Sequence, residues 1–258
     1  MSPARLDTTG PGTDEPAWLS FLSQLAAPPL RLDPPPSRVL VVAPHPDDEV
    51  LACGGLAALL AAVGSRVSVL AVTDGEASNP RGSLAPVELA RRRRAESAAA
   101  LAHLGNPAVT RLGLLDGAGD ALEEPVLRAL TETVADEDPA QTWLLAPWTG
   151  EGHPDHEAVG RAAEGAAAST GCRLLGYLVW TWHWAEPEAE QVPWSRLRTV
   201  PLPADVQAAK AAAIDEFATQ VRPAGPLPGD APVLTPAVLA RFARPFESLL
   251  VPAEEPRP

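Results

Sequence analysis

Val39-Leu40-Val41-Val42-Ala43-Pro44-His45-Pro46-Asp47-Asp48-Glu49 is the stretch that decides how this chain folds. Its first five residues are apolar and rich in valine, the mark of a strand buried on both faces, as in a parallel sheet. Prolines 44 and 46 end the strand, and acidic residues stand where a helix would begin. Outward from there, 54–63 reads as helix and 67–72 (Val-Ser-Val-Leu-Ala-Val) as a second strand. The pattern continues with helix 88–104 closed by Gly105, strand 109–114, helix 125–135, strand 142–146, helix 157–168 and strand 173–181. This β-then-α alternation predicts an α/β fold, with a mostly parallel sheet covered by helices on both faces. In such sheets ligands gather at the carboxyl ends of the strands.

The 30 prolines crowd the two ends of the 258 residues, where fixed φ and missing donors favour extended chain or short elements. Residues 1–37 are therefore expected to be a Pro-rich N-terminal extension, 38–220 the domain, and 221–258 a Pro-rich C-terminal extension packed on or near it. With 33 acidic and 20 basic side chains the formal charge is −13. That charge opposes nucleic-acid binding, which needs a basic face, and opposes affinity for anionic membranes. No apolar run approaches the ~20 residues of a bilayer span. Residues 1–16 lack the basic end and apolar stretch of a signal peptide. Two cysteines, Cys53 and Cys172, are too few for a disulfide framework in a chain of this length. The expected location is cytoplasmic, and nothing in the composition argues against a homo-oligomer.

Two loops carry the chemistry. Pro44 to Glu49 follows the first strand, and Pro147-Trp148-Thr149-Gly150-Glu151-Gly152-His153-Pro154-Asp155-His156 follows the strand ending near residue 146. Both fall at the same edge of the predicted sheet, and they hold three of the five histidines. Histidines and carboxylates at short spacing, joined by a further histidine through the fold, are the inventory of a catalytic zinc site, which leaves a position open for water. Helix capping would account for Asp47, Asp48 and Glu49 on their own. It does not account for the prolines around His45 or for a second His/Pro/Asp/His cluster at the same edge.

Together the segments Pro-His-Pro-Asp-Asp-Glu and His-Pro-Asp-His resemble the LmbE-like (PIG-L) family. Its members include phosphatidylinositol-N-acetylglucosamine deacetylases and the deacetylases of mycothiol and bacillithiol biosynthesis. Thr73-Asp74-Gly75-Glu76, Arg93 with Glu96 ahead of Leu104-Gly105, and Leu115-Asp116-Gly117 extend the likeness over roughly 38–220. The resemblance implies a Rossmann-like three-layer sandwich and a zinc-dependent hydrolase that removes an N-acetyl group from an amino sugar or its conjugate. It implies His45, Asp48 and His156 as zinc ligands and Asp47 as general base. It further implies His153 as the imidazolium that stabilises the oxyanion or protonates the leaving amine, with Asp116 orienting it. Arg93 would contact the sugar. Iron(II) would suit the same ligands. Where many relatives carry a His-Ser-Gln-like segment, this chain has Phe217-Ala218-Thr219-Gln220, so a substrate role for that histidine is missing.

Other residues read more plainly. Arg91 to Arg94 point in all directions on a helix, so most of that run is a solvated face. Trp180, Trp182 and Trp184 would share one face of a strand, as core or as a sugar-stacking platform. Trp148 is the better candidate for a pocket wall. Glu49 and Asp155 read as structural, Cys53 as a small buried residue and His103 as a helix-end histidine. The rival functions are an amidase acting on a larger N-acyl group, a non-haem iron oxygenase using two histidines and a carboxylate, and a non-catalytic binding protein. The oxygenases are usually antiparallel barrels, against the βα order here. A nucleotide-binding reading fails because no G-x-G-x-x-G follows the first strand.

Overall fold

In the first strand, β1 (Arg38–Ala43), the side chains of Val39, Val41 and Ala43 enter one core, and those of Leu40 and Val42 enter another on the opposite face. This two-sided burial is what the apolar run at 39–43 predicts. The computed structural model describes residue 10 and residues 12–253. Parts of the two expected extensions, 1–9 with 11 and 254–258, lie outside the described residues.

In chain order the elements begin with α1 (Glu15–Leu25), β1, α2 (Asp48–Ala62), β2 (Arg66–Thr73), α3 (Pro86–Ala102) and β3 (Ala108–Leu114). Next come α4 (Glu123–Val134), β4 (Thr142–Pro147), α5 (Pro154–Thr170), β5 (Arg173–Tyr177) and α6 (Thr181–Trp184). The last are β6 (Leu197–Pro201), α7 (Ala204–Asp215), α8 (Ala218–Val221), α9 (Pro236–Ala240) and β7 (Phe246–Leu250). They form a seven-stranded sheet in the order β3-β2-β1-β4-β5-β7-β6. β1 to β5 are mutually parallel, as expected, and β7 runs antiparallel to both β5 and β6.

Helix packing completes three layers. Leu51, Leu56 and Leu60 of α2, with Ala100 and Leu101 of α3, Ala213 of α7 and Trp18 of α1, fill one face. Val126, Leu130 and Val134 of α4, with Ala158, Val159, Ala162 and Ala166 of α5, fill the other. Each buried leucine or valine contributes roughly 1.5–3 kcal/mol. The alanine face of α5 lets that helix lie close to the sheet, which brings its N-terminus up to the strand ends. Strand order reverses between β1 and β4, and at such a switch point the loops diverge and leave a crevice. The two histidine loops flank it.

Two expectations need correction. The strand foreseen over 173–181 stops at Tyr177, because the backbone N–H groups of Val179, Trp180 and Thr181 are taken up by the Glu151 carboxylate at 2.8–3.1 Å. The chain turns there into α6, and the three tryptophans leave one another's face. Trp182 enters the core edge-on to Trp18 at 5.1 Å between ring centroids, Trp180 turns toward the crevice, and Trp184 donates to the Glu151 carbonyl at 2.8 Å. The other miss is β6 and β7. Residues 246–250, foreseen as part of a Pro-rich extension, form a strand inside the sheet, between β5 and β6. Pro245 and Pro252 bracket that strand instead of interrupting it, which is where a sheet tolerates proline.

Candidate active site

His45 lies in the loop between β1 and α2, His156 sits in the first turn of α5, and the fold sets them face to face. Nδ1 of His45 lies 3.3 Å from Nε2 of His156. Oδ2 of Asp48, in the first turn of α2, lies 3.3 Å from each of these nitrogens. The three donor atoms thus form a triangle with equal edges. Ligands 2.0–2.1 Å from a tetrahedral zinc ion are spaced about 3.3–3.4 Å apart, so this triangle has the size of one tetrahedral face. All three side chains are buried, and two histidine nitrogens pointed at one another with a carboxylate oxygen between them is a poor arrangement without a cation. The donor set fits a divalent metal with N and O preference.

Electrostatics agree with the geometry. Burial opposes ionisation of Asp48, but the facing His156 and His45 more than offset it and hold its carboxyl well below the usual range. In His156, burial pulls the imidazole down and Asp48 and Glu151 push it up further, to about 9. His45 is likewise depressed by burial yet raised well above its ordinary value by hydrogen bonds to Asp116, Asp155 and Asp48. Its Nε2 lies 3.1 Å from Asp116 Oδ1 and 3.2 Å from Asp155 Oδ2. With Nε2 held by carboxylates, Nδ1 is left to face the triangle.

Asp47 stands beside the triangle in a conformation few residues tolerate, at φ 136° and ψ −31°. Asn and Asp enter the positive-φ region more readily than most side chains, and strain of this kind collects at functional sites. Its backbone N–H is tied to Glu49 Oε2 at 3.0 Å, and Ser97 donates to the other Glu49 oxygen at 3.0 Å. Burial pushes the Asp47 carboxyl up to about 7, against the attraction of Arg93. Arg93, foreseen as a sugar contact, is occupied within the protein. Its guanidinium donates to Asp47 Oδ2 at 3.0 Å, to the Pro46 carbonyl at 2.6 Å and to the Gly75 carbonyl at 3.0 Å. Gly75 has φ 70°, and a Cβ there would overlap that guanidinium, which explains the glycine in Thr73-Asp74-Gly75-Glu76.

His153 is the cap residue of α5, and its Nδ1 accepts the Asp155 N–H at 3.3 Å. A neutral ring in that tautomer carries its proton on Nε2. Burial, then His156 and His45, push its pKa down to about 3 in the metal-free protein, which agrees with a neutral ring in that tautomer. Asp116, foreseen as its orienting partner, turns instead to His45 and accepts the Ala77 N–H at 2.7 Å. The cause lies in the 117–119 loop, whose Gly117 and Gly119 N–H groups are fastened to Asp155 at 2.8 and 2.7 Å. Asp155, read as structural, does hold that loop and also reaches His45.

His45, Asp47, Asp48, Arg93, Asp116 and His153 line a cavity of about 240 Å³ that Trp180 and Gln220 help to close. Trp180 lies nearly parallel to His153, 19° between planes and 6.4 Å between centroids. Trp148 is not among the lining residues; it packs against the core and over Gly150 and Gly176. A larger hollow of about 450 Å³ runs along α7 beside Ile214, Leu239 and Phe242. It contains no histidine, so the chemistry belongs to the smaller cavity. Glu151, fully buried beside His156, carries no signal in the sequence, since its hydrogen-bond donors in the β5–α6 turn lie about thirty residues away.

Residues 40–167 match the family described as PIG-L, GlcNAc-PI de-N-acetylase, a span that holds His45, Asp47, Asp48, His153 and His156. Diacetylchitobiose deacetylase from Thermococcus kodakarensis is 32% identical over 126 residues, 48% of this chain and 46% of that protein. The chain therefore matches about half the length of that curated relative. The crystal structure of A40926 pseudoaglycone deacetylase Dbv21 superposes with a TM-score of 0.62 at 26% identity, covering 83% of this chain and 96% of that one. GalB, the 4-carboxy-2-hydroxymuconate hydratase of Pseudomonas putida KT2440, superposes with a TM-score of 0.60 at 18% identity, covering 86% and 97%. That second likeness is one of fold alone.

Proposed function

The chain belongs to the PIG-L family through residues 40–167, and on that premise we propose that it is a metal-dependent hydrolase removing an N-acetyl group from an amino sugar or its conjugate. The observation that carries this reading is the equal 3.3 Å triangle of His45, Asp48 and His156 with a proton-accepting carboxylate at its side. Zinc is the metal we assign, and iron(II) suits the same donors. When bound, the ion polarises the amide carbonyl and acidifies water.

The protein's own residues supply the rest. Asp47, buried and held by Arg93 at 3.0 Å, takes the proton of the attacking water and returns it to the departing amine. His153, neutral and protonated on Nε2, donates that N–H to the oxygen that becomes negative in the transition state. Trp180 offers a flat apolar wall for a sugar ring. The two deacetylases named above act, by their names, on diacetylchitobiose and on A40926 pseudoaglycone. An N-acetylated sugar or conjugate is accordingly the substrate class proposed here, and the two buried, unpaired thiols suit a reducing, cytoplasmic setting. Acetate release from a panel of N-acetylglucosamine conjugates, by chelator-stripped and zinc-reloaded protein, tests the reading. Release only after reloading supports it; equal release by stripped protein, or none from any conjugate, overturns it.

A further inference from the structure

Glu151 lies two residues before His153, is fully buried, and has no part in the mechanism above. Its Oε2 accepts the N–H groups of Val179 and Trp180 at 2.9 and 2.8 Å, and its Oε1 accepts Thr181 N–H at 3.1 Å and Thr181 Oγ at 2.5 Å. Oε2 also stands 3.3 Å from Nδ1 of His156. That nitrogen is buried and has no hydrogen-bond partner of good geometry among the described residues. If Nε2 of His156 gives its lone pair to a metal, the neutral ring must carry its proton on Nδ1. A buried N–H without an acceptor is costly, and Glu151 Oε2 is placed to be that acceptor after a small ring rotation.

We infer that Glu151 is a positioning residue for the metal centre: it fixes the tautomer and orientation of His156 and anchors the Trp180 wall to the same carboxylate. A carboxylate behind a ligating histidine makes the imidazole a better donor. Here the four further hydrogen bonds hold the carboxylate itself still, so the ligand and the wall of the substrate cavity are set by one side chain. The inference rests on the metal reading of His45, Asp48 and His156, but not on which amide is cleaved.

The test is zinc affinity of the full chain, by competition with a chromophoric chelator, for the wild type, Glu151→Gln and Glu151→Asp. The visible spectrum of the cobalt(II)-substituted proteins and near-UV circular dichroism are recorded beside it. Loss of a carboxylate behind a ligating histidine weakens metal binding about 10–100-fold. Glu151→Gln should fall in that range with altered cobalt bands, and Glu151→Asp should lie between it and the wild type. A folded Glu151→Gln that binds zinc within twofold of the wild type, with unchanged cobalt bands, would overturn the inference. Should Glu151→Gln fail to fold, Glu151→Asp decides by the same measure. If neither folds, nitrogen-15 histidine spectra of the zinc-loaded wild type decide. A slowly exchanging Nδ1–H on His156 supports the inference, and coordination through Nδ1 overturns it. A wild type that binds no zinc would instead overturn the metal reading, a separate failure.

Discussion

Replacing Asp47 with Asn removes the proposed proton acceptor while leaving almost everything around it in place. Asn is close in shape, its carbonyl oxygen can keep the Arg93 hydrogen bond now made at 3.0 Å, and it tolerates the φ of 136° about as well as Asp. The three donors of the metal triangle are untouched. The residual cost in stability is therefore small for a buried ion pair: with a pKa near 7, Asp47 in the metal-free protein is already partly neutral at neutral pH. The rate effect is not small. A positioned acid–base group contributes about 10²–10⁴-fold, which at 1.36 kcal/mol per decade is roughly 3–5 kcal/mol of barrier. Acetate release under kcat/KM conditions, with zinc content measured on the same samples, reads this directly. The reasoning predicts a loss of at least about 100-fold with one zinc per chain retained. A loss below tenfold, or a loss that merely follows zinc leaving the protein, would refute the assignment of Asp47.

Three further outcomes follow from the same geometry. Arg93→Met strands three buried acceptors, Asp47 Oδ2 and the Pro46 and Gly75 carbonyls, at about 1–3 kcal/mol each, so unfolding free energy should drop. Without the cation the Asp47 carboxyl is held neutral to higher pH, so the acidic limb of the pH–rate profile should move to higher pH. In the metal-free protein His156 titrates at about 9 against an ordinary 6.5. The stability it contributes is fully present below pH 6.5 and is lost as pH rises through 9, while zinc affinity climbs over that window because binding must expel the proton; denaturation and zinc titrations at several pH values measure both. Glu247→Ala strands Lys210, now 2.6 Å away, and the N–H groups of Gly55 and Leu56 at the break in α2. It should cost about 3–5 kcal/mol in urea unfolding.

How much of this was legible in the residues depended on how local the signal was. β1 to β5 declare themselves through short apolar runs, and the helices between them through caps and glycines, so the parallel sheet and its switch point follow. β6 and β7 do not, because they are five residues each, flanked by proline, and paired antiparallel to partners distant in the chain. That the two histidine loops meet was legible because both directly follow strands of one parallel sheet; the choice of His45, Asp48 and His156 within them came from the family resemblance. The carboxylates behind these three residues were not legible. Asp116 was placed with His153 but sits on His45, since the orientation of a loop depends on what fastens it, here Asp155. Arg93 carried a family resemblance but no sign of which acceptors would surround it. The alternation of Trp180, Trp182 and Trp184 suggested a strand, and the long-range bonds from Glu151 that make it a helical turn leave no mark in that segment.

X-ray absorption at the zinc edge on the reconstituted protein tests the central claim most directly. The account predicts one zinc per chain with two imidazole nitrogens and carboxylate oxygen at about 2.0–2.1 Å and no sulfur, and loss of one imidazole in His156→Ala. Sulfur scattering at about 2.3 Å, or an unchanged first shell in that variant, would contradict it.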